Sequence, residues 1–579
     1  MRQATTSNRR SFLKAALTTT GLTAFGAAGW AKPKKQPNMI LIVLDDVGFS
    51  DLGCFGGEIR TPNIDRLAKT GLRYTSFDSR AVCSASRAAL LTGRNSQTVG
   101  MTDIPFPGVK AGGATNKNSG YIPLNAQMLP AALKQAGYDT WAVGKWHLTP
   151  AYEEAPDAPH SSWPTHRGFD YFYGFIKGWT DQYHPDLVEN EKPLPKRNKP
   201  GYHLSEDLVD RSIELISGRN RATPGNPFFL YLCFGAAHSP IQVPSRYSDR
   251  YAGFYDKGWD KLRIDRFERM KAIGLIPADT VLPPPNEGDR RWADLSDEER
   301  TVFARFMEVY AGFIEHTDEQ IGRLLDHIKA QALDQDTVVM LMSDNGAAGE
   351  AGQTGAFQKL YSMGKQPTIA EQKARLAELG TDKTQSQYQR PWAMAGNTPF
   401  RRYKVWPWLG GVRVPLIVSW PGKVSDPGAI RRQYIDVIDI APTLVEAAGT
   451  SFAKAVEGVV QIPVAGASMM ASITSGSAPS PRPVQFFELR GNRAIRFGDW
   501  RAVAMRNCGT PQDESRWMLF NLAQDFSEAT DLSARYPDRL EMMQDLWLKE
   551  ATKYSDPPLG GYTEVMCGWS QYADDFMKN

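Results

Sequence analysis

Five short apolar runs alternate with stretches of helical periodicity, and this alternation constrains the fold more than any other feature of the sequence. The runs, rich in β-branched residues, cover 39–44, 140–143, 228–234, 338–342 and 414–420. Continuous apolar runs are typical of strands buried on both faces of a parallel sheet. Helical patterns fall between them, at 63–70, 124–135, 206–216 and 297–330. The chain is therefore predicted to form a doubly wound α/β layer, a mostly parallel sheet flanked by helices.

The pattern changes after about residue 478. Short alternating segments at 484–488, 494–497, 501–504 and 517–521 are followed by a helical stretch at 537–554. Strands of this kind predict a small antiparallel sheet with a covering helix. Irregular stretches at 104–122, 177–203, 246–296 and 346–400 are longer than plain connections and are expected to act as lids or binding loops.

The N-terminus resembles a secretion signal. An Arg9–Arg10 pair precedes a moderately apolar run at 15–29, and Ala31 ends a small-residue cleavage site. This pattern indicates export by the twin-arginine translocase to the periplasm or the medium. The run is too short and too rich in Thr and Gly for stable membrane insertion. Cleavage would also remove Arg2 and Lys14 but no acid, which turns the formal net charge of +3 into −1 and argues against nucleic-acid binding.

Acidic and amide side chains follow two of the predicted strands. Asp45 and Asp46 come directly after the run at 39–44, and Asp344 and Asn345 come after the run at 338–342. Ligands collect at the carboxyl ends of strands in such sheets. Each pair alone is also common in ordinary turns. Together, their oxygen donors favour calcium or magnesium over zinc.

Basic side chains also lie next to the predicted strands. Lys145 and His147 come after the run at 140–143, His238 follows the run at 228–234, and Lys404 precedes the run at 414–420. A lone strand-end histidine is usually structural, and most lysines are solvated surface charges.

The segment that indicates a reaction is Cys83-Ser-Ala-Ser-Arg87, followed by Ala-Ala-Leu-Leu-Thr-Gly-Arg at 88–94. A lone cysteine that starts a helix is usually a buried structural residue, although helix N-termini also bind anions. With the four other blocks in the same order, the segment resembles the type I sulfatase signature Cys-x-Pro-x-Arg. The resemblance covers roughly 36–465, with a family-like segment at 518–532. Ala85 replaces the usual Pro, and Leu409 replaces the Glu of the usual Glu-Gly-Gly sequence.

The resemblance implies that Cys83 is oxidised to formylglycine by a cytoplasmic maturase, and Ala85 leaves open which maturase acts. It implies a calcium ion, expected ahead of magnesium, and a small-molecule or glycan sulfate ester as substrate. Domains are then expected at 1–31 (signal), 36–475 (catalytic) and 480–579 (C-terminal subdomain). The implied metal ligands are Asp45, Asp46, Cys83, Asp344 and Asn345, and the implied sulfate-binding residues are Lys145 and Lys404. Asp344 and His147 are expected to accept protons, and His238 is expected to protonate the leaving oxygen. Arg87 is expected to orient position 83.

Other interpretations remain open at this stage. The substrate is expected to be an aryl sulfate, with a sulfated carbohydrate as the alternative. The protein could instead be a phosphodiesterase or phosphonate hydrolase of the same superfamily, although those enzymes tend to carry His at the position of Asn345. A non-enzymatic alternative is a sulfated-glycan binding protein with an unmodified Cys83. Six aromatic residues could stack on substrate or pack within loops, namely Trp163, Trp179, Tyr183, Trp392, Trp406 and Trp408.

The cysteines give a weaker signal. Cys54, Cys83, Cys233, Cys508 and Cys567 form an odd set, and four remain if Cys83 is modified. An oxidising compartment permits disulfides. Cys508 with Cys567 is the pairing we expect, although the sequence does not fix it, and Cys233 is predicted to be buried in its strand.

Overall fold

The computed structural model describes residues 36–105, 119–155, 157–222, 225–358, 366–506 and 515–554. Its strands are β1 (Asn38–Leu44), β2 (Leu72–Tyr74), β3 (Phe77–Asp78), β4 (Asp139–Lys145), β5 (Tyr171–Phe175), β6 (Val188–Glu189), β7 (Lys192–Pro193), β8 (Phe228–Cys233), β9 (Thr337–Ser343), β10 (Leu416–Ser419), β11 (Ile430–Arg431), β12 (Ile435–Asp436), β13 (Ala455–Val456), β14 (Val459–Val460), β15 (Val484–Leu489), β16 (Asn492–Phe497), β17 (Trp500–Met505) and β18 (Arg516–Asn521). Its helices are α1 (Pro62–Thr70), α2 (Cys83–Thr92), α3 (Leu129–Gln135), α4 (Leu204–Ala222), α5 (Ser245–Ser248), α6 (Gly258–Ala272), α7 (Asp297–Ala330), α8 (Ile369–Ala374), α9 (Arg390–Gly396), α10 (Leu409–Val412), α11 (Ile440–Ala447), α12 (Met470–Thr474) and α13 (Pro537–Tyr554).

A ten-stranded sheet organises the larger part of the chain, in the order β11-β2-β10-β9-β1-β8-β4-β5-β6-β7. Its centre is parallel, because β1 pairs in parallel with β8 and β9, and β4 pairs in parallel with β8 and β5. The pairs β10–β9, β10–β2, β5–β6 and β6–β7 are antiparallel. The predicted doubly wound, mostly parallel sheet is confirmed.

Helices cover both faces of this sheet. Successive side chains of a strand point to opposite faces, so Ile40 and Ile42 of β1 pack in the core beneath α1, α4 and α7, whereas Met39 and Leu41 pack in the core beneath α2, α3 and α11. All seven residues of β1 are buried. This burial on two faces explains why the strand is a continuous apolar run and not an alternating one.

The predicted C-terminal sheet is also present. Strands β15 to β18 form a four-stranded antiparallel sheet in chain order. One face packs against α13, where Phe486 meets Met543 and Trp547. The opposite face, which includes Phe487 and Phe520, belongs to the main hydrophobic core. The small sheet therefore lies between its covering helix and the body that carries the central sheet.

Two of the helices that differ from the predicted pattern are α3 and α6. The helix predicted at 124–135 begins only at Leu129, with Pro130 in its first turn, because proline fits the start of a helix but not its interior. A 15-residue helix, α6, lies inside the stretch at 246–296 that was predicted to be irregular. It buries Arg263 and Arg266 together with its apolar residues, so its sequence lacks a clear apolar stripe.

Some predictions fall on residues outside the described ranges. The N-terminal signal, its cleavage site, and both Cys508 and Cys567 lie there. Cys54, Cys83 and Cys233 are free thiols, and Cys233 is buried in β8 as expected. Among the described helices, none combines the length and apolar character that a membrane span requires.

Candidate active site

The carboxyl ends of the central strands meet at one edge of the sheet, and the predicted site residues lie there. Asp45 follows β1, Asp344 follows β9, and Lys145 ends β4. Cys83 is the first residue of α2. One possible ligand atom from each of Asp45, Cys83 and Asp344 lies within 4.8 Å of the others; we refer to these three residues as the Cys83 group.

Cys83 is almost completely buried and lies against a histidine. Its Sγ is 3.1 Å from Nδ1 of His147. Burial raises the pKa of the Cys83 thiol to about 11, although Lys145 and Lys404 act in the opposite direction. Thiolate is the reactive form of cysteine. An unmodified thiol at this position is therefore protonated near neutral pH and is a poor nucleophile.

Arg87 and Asp344 form a fully buried ion pair beneath Cys83. Nε and Nη2 of Arg87 both donate to Oδ2 of Asp344, at 2.9 and 2.7 Å. Nη1 donates to the carbonyl oxygen of Lys145 at 3.3 Å. Arg87 thus connects α2 to the ends of β9 and β4, and its hydrogen bonds orient Asp344 next to position 83.

The acidic residues fit a divalent cation. Asp45 Oδ1 and Asn345 Oδ1 are buried and have no hydrogen-bond partner, and buried polar atoms are normally satisfied. Burial raises the pKa of Asp45, and Asp344 and Asp46 raise it further, against the opposing effect of Lys145, whose Nζ lies 2.7 Å from Asp45 Oδ2. The two unpaired oxygens could coordinate a cation, and the charge of that cation would relieve the repulsion among the carboxylates.

A second cluster lies next to the Cys83 group and contains Asp46, His238 and Glu350, with one possible ligand atom from each within 4.8 Å of the others. We call it the His238 group. Asp46 Oδ1 accepts a hydrogen bond from Nδ2 of Asn345 at 2.6 Å. Its Oδ2 lies 3.1 Å from Lys404 Nζ and 3.7 Å from His238 Nε2. Burial alone would raise the pKa of Asp46, but Lys404 and His238 outweigh it and lower the pKa to about 2.

The two histidines are neutral in this environment. Burial, then Lys404, lowers the pKa of His238 to about 3. Nδ1 of His238 lies 2.6 Å from the carbonyl oxygen of Ser239, which can only accept, so the ring proton belongs on Nδ1 and Nε2 faces Asp46 without one. Burial, then Lys145, lowers the pKa of His147 well below its usual range.

His147 is held by the loop that follows β5. Its backbone N–H donates to the carbonyl oxygen of Ile176 at 2.9 Å, and its φ is 54°. A Cβ at Gly178 would lie 2.6 Å from the imidazole ring. Only glycine therefore allows this loop to close over His147. Close contact of the loop fixes the imidazole above Cys83.

The loop that carries Lys404 is braced from the C-terminal sheet. Leu409 N–H donates to Oε2 of Glu528 at 3.2 Å. Arg501 of β17 donates both to Glu528 and to the carbonyl oxygen of Pro407. Arg501 and Glu528 are fully buried. A carboxylate from the segment that follows β18 thus contacts the loop at the position where Leu409 replaces the usual glutamate.

Three residues of the site, Glu350, Arg501 and Glu528, were not predicted from the sequence. Glu350 lies six residues beyond Asp344 in a stretch without secondary structure, and the only sequence signal is its proximity to a strand-end acid. Arg501 and Glu528 are about one hundred residues away from the loop that they contact. Their involvement depends on how the C-terminal sheet docks, which no local pattern encodes.

Most of the aromatic candidates prove to be packing residues. Trp163, Trp392, Trp406 and Trp408 are at most 3% exposed. Trp179 and Tyr183 are half-buried. Of the six, these two alone retain exposed surface, and Trp179 follows Gly178 directly.

Comparisons with known proteins show which family the chain resembles. The family model described as Sulfatase matches residues 37–450. An uncharacterized sulfatase of Schizosaccharomyces pombe is 32% identical over 541 residues, covering 89% of this chain and 93% of the relative. An arylsulfatase of Klebsiella aerogenes is 30% identical over 476 residues, covering 80% and 96%. The crystal structure of Ps i-CgsB in complex with k-i-k-neocarrahexaose has a similar fold, with a TM-score of 0.62, 22% identity, and coverage of 94% of this chain and 100% of that one.

Proposed function

Because the chain belongs to the sulfatase family and is a sulfuric ester hydrolase, we propose that it acts as an arylsulfatase through a formylglycine made from Cys83. The observation that carries this proposal is the environment of Cys83. A protonated thiol, buried among acidic and cationic groups, is unsuited to attack an anionic ester. The same position suits a residue with two hydroxyls, because Asp344 belongs to the Cys83 group and His147 Nδ1 lies 3.1 Å from the Cys83 sulfur.

The charges at the site suit a bound sulfate group. A sulfate ester is negatively charged and repels a nucleophile unless cations surround it. Lys145 and Lys404 supply two buried ammonium groups on either side of the acidic residues. Calcium, expected ahead of magnesium, would be held by Asp45, Asp46, Asp344, Asn345 and position 83. When bound, it would neutralise the carboxylates and withdraw electron density from the sulfate oxygens.

The modified residue would explain why the site needs two proton acceptors. A hydrated aldehyde supplies two hydroxyls on one carbon; one displaces the ester oxygen from sulfur, and the other loses its proton so that the C–O bond to sulfate breaks and the aldehyde re-forms. Asp344, oriented by Arg87, would accept the first proton. His147, neutral and next to position 83, would accept the second.

His238 would protonate the leaving oxygen. Its Nε2 carries no proton in the unliganded site, so this role requires the ring to take up a second proton when substrate binds. The negative charge of a bound sulfate would favour that protonation. Asp46, 3.7 Å from Nε2, would stabilise the resulting imidazolium.

The arylsulfatase assignment is supported by the 30% identity to the Klebsiella aerogenes arylsulfatase. Of the six aromatic candidates, half-buried Trp179 and Tyr183 retain surface that could stack on an aryl ring. Sulfated carbohydrate is the alternative, since a structure with the same fold binds a neocarrahexaose. Rates on 4-nitrophenyl sulfate, on sulfated sugars, and on the matching nitrophenyl phosphodiester separate these classes.

We also propose that the protein is exported after folding. Its N-terminal Arg9–Arg10 pair and apolar run fit the twin-arginine translocase, which carries folded proteins. Modification of Cys83 would then occur in the cytoplasm before export to the periplasm or the medium. Replacement of Arg9 and Arg10 by lysine should leave active protein in the cytoplasm.

The test of the nucleophile is the mass of the tryptic peptide Ala81–Arg87 from protein made in a host that matures sulfatases. Exchange of the thiol for an aldehyde should appear in this peptide, and the fraction converted should scale with turnover of 4-nitrophenyl sulfate. An unmodified cysteine in fully active protein would refute the proposal. An unmodified cysteine in protein that binds sulfated glycans without hydrolysing them would favour the binding-protein alternative.

A further inference from the structure

Glu350 takes no part in the roles described so far, yet it lies inside the His238 group. Its Oε2 is 3.2 Å from Lys404 Nζ. A carboxylate oxygen of Glu350 also lies within 4.8 Å of a ring nitrogen of His238. The residue therefore contacts the lysine that would bind sulfate and lies near the histidine that would protonate the leaving oxygen.

Exposure increases from the nucleophile towards Glu350. Cys83 is 2% exposed, Lys404 3%, and the side chain of His238 7%. The Glu350 side chain is 25% exposed, although its Oε2, which faces Lys404, is buried. The solvent-exposed surface of Glu350 therefore belongs to side-chain atoms other than Oε2. Because a bound ester must extend from Cys83 past His238 towards solvent, its alcohol portion would pass this carboxylate.

We propose that Glu350 is a specificity-determining residue that selects sulfate esters whose alcohol portion carries no further negative charge. The inference rests on the proposed function and specifies its substrate class. Glu350 places a negative charge on the exposed side of a site that is otherwise cationic towards substrate. An additional carboxylate or sulfate on the alcohol portion would be repelled, whereas a neutral aryl or sugar group would not.

The size of the effect follows from Coulomb's law for a substrate charge that passes Glu350. Two unit charges about 7 Å apart at an effective dielectric constant of about 40 change a binding or activation equilibrium about 5- to 10-fold. Side-chain replacement at a partly exposed position should not disturb the fold. Because Glu350 also contacts Lys404, its replacement can change the rates on both substrates, and charge selection is therefore measured as the ratio of the two rates.

The alternative is that Glu350 only holds Lys404 in place. In that case, its removal would change the rates of charged and neutral esters by the same factor. Charge selection changes the ratio of the two rates. The two roles are therefore separated by a pair of substrates that differ in charge but share the same reacting group.

The experiment compares 4-carboxyphenyl sulfate with its neutral methyl ester, 4-methoxycarbonylphenyl sulfate. For each ester, kcat/KM is measured with the wild type, Glu350→Gln, Glu350→Asp and the control Glu446→Gln. The control removes the same charge from a distant, exposed position of α11. The two phenols differ in leaving ability, but this difference cancels when the preference of each variant is divided by that of the wild type.

The wild type should prefer the neutral ester. Glu350→Gln should reduce that preference about 5- to 10-fold, mainly through a higher kcat/KM for the carboxylate ester. Glu350→Asp and Glu446→Gln should retain it, and added salt should weaken it in the wild type. Turnover of both esters with an unchanged preference in Glu350→Gln would overturn the role of Glu350 alone. Turnover of neither ester by the mature wild type would refute the proposed function, and this inference with it.

Discussion

Replacement of Glu528 by glutamine tests whether the C-terminal sheet holds the loop that carries Lys404. Glu528 is fully buried, accepts the N–H of Leu409, and pairs with Arg501. Arg501 also donates to the carbonyl oxygen of Pro407. Glu528→Gln keeps the size of the side chain and one acceptor oxygen, but it leaves the Arg501 guanidinium buried without a counter-charge.

Glu528→Gln is expected to cause a large loss of stability for so small a change in the side chain. Removal of one partner from a buried ion pair costs about 3–5 kcal/mol, because the remaining charge stays desolvated. The unfolding entropy is about 2 cal/mol/K per residue, so for a folded unit of roughly 500 residues this loss lowers Tm by about 3–5 °C. The KM for 4-nitrophenyl sulfate should rise more than kcat falls, because the loop positions Lys404 for substrate binding.

The matched control is Glu550→Gln in α13, whose partner Lys553 is 50% exposed. Surface pairs of this kind contribute about 0–1 kcal/mol, so the control should shift Tm by less than about 1 °C on the same scale. Tm is measured by calorimetry, and kcat and KM on the same preparations. Equal Tm values for the two variants, or an unchanged KM in Glu528→Gln, would show that the loop does not depend on this carboxylate.

Three further predictions concern the reaction. Cys83→Ala should abolish turnover of 4-nitrophenyl sulfate but leave the circular dichroism spectrum unchanged, and activity near that of the wild type would refute the nucleophile. His238→Ala should slow esters with poor leaving groups about 10²- to 10⁴-fold and slow good ones much less; equal losses in a series of substituted phenyl sulfates would refute the acid role. Removal of divalent cations by a chelator should abolish activity, because Asp45 and Asn345 would then have no cation to coordinate. Added calcium should restore more activity than added magnesium. Full activity in the chelated enzyme would contradict the metal assignment.

The sequence predicted the parts of the fold that depend on local pattern. Residues 39–44 of β1 are all apolar because both faces of the strand are covered, and α13 runs from Pro537 to Tyr554 as predicted. The acids and bases at the strand ends could be placed at one edge because parallel strands end on the same side. Side chains such as Asp45 and Lys145 do meet there.

The missed features depend on tertiary contacts. Helix α6 hides its periodicity because Arg266 is buried in ion pairs with Asp51 and Glu58. Trp408 could not be identified as a packing residue, since burial of an aromatic ring in a long loop leaves no local signature. The same applies to Glu528, whose role requires the C-terminal sheet to dock against the loop.

The position of β1 between β8 and β9 has a consequence for the order of events during synthesis. Val43 lies opposite Cys233 on one side and Met342 on the other, so the edge around Cys83 cannot close until residues near Asp344 have left the ribosome. At about 5–20 residues per second, the ribosome needs roughly 10–50 seconds to cover that distance. During this interval, Cys83 lies in a nascent chain that cannot yet place Asp344 next to it. A modifying enzyme would therefore have access to a side chain that the finished fold buries almost completely.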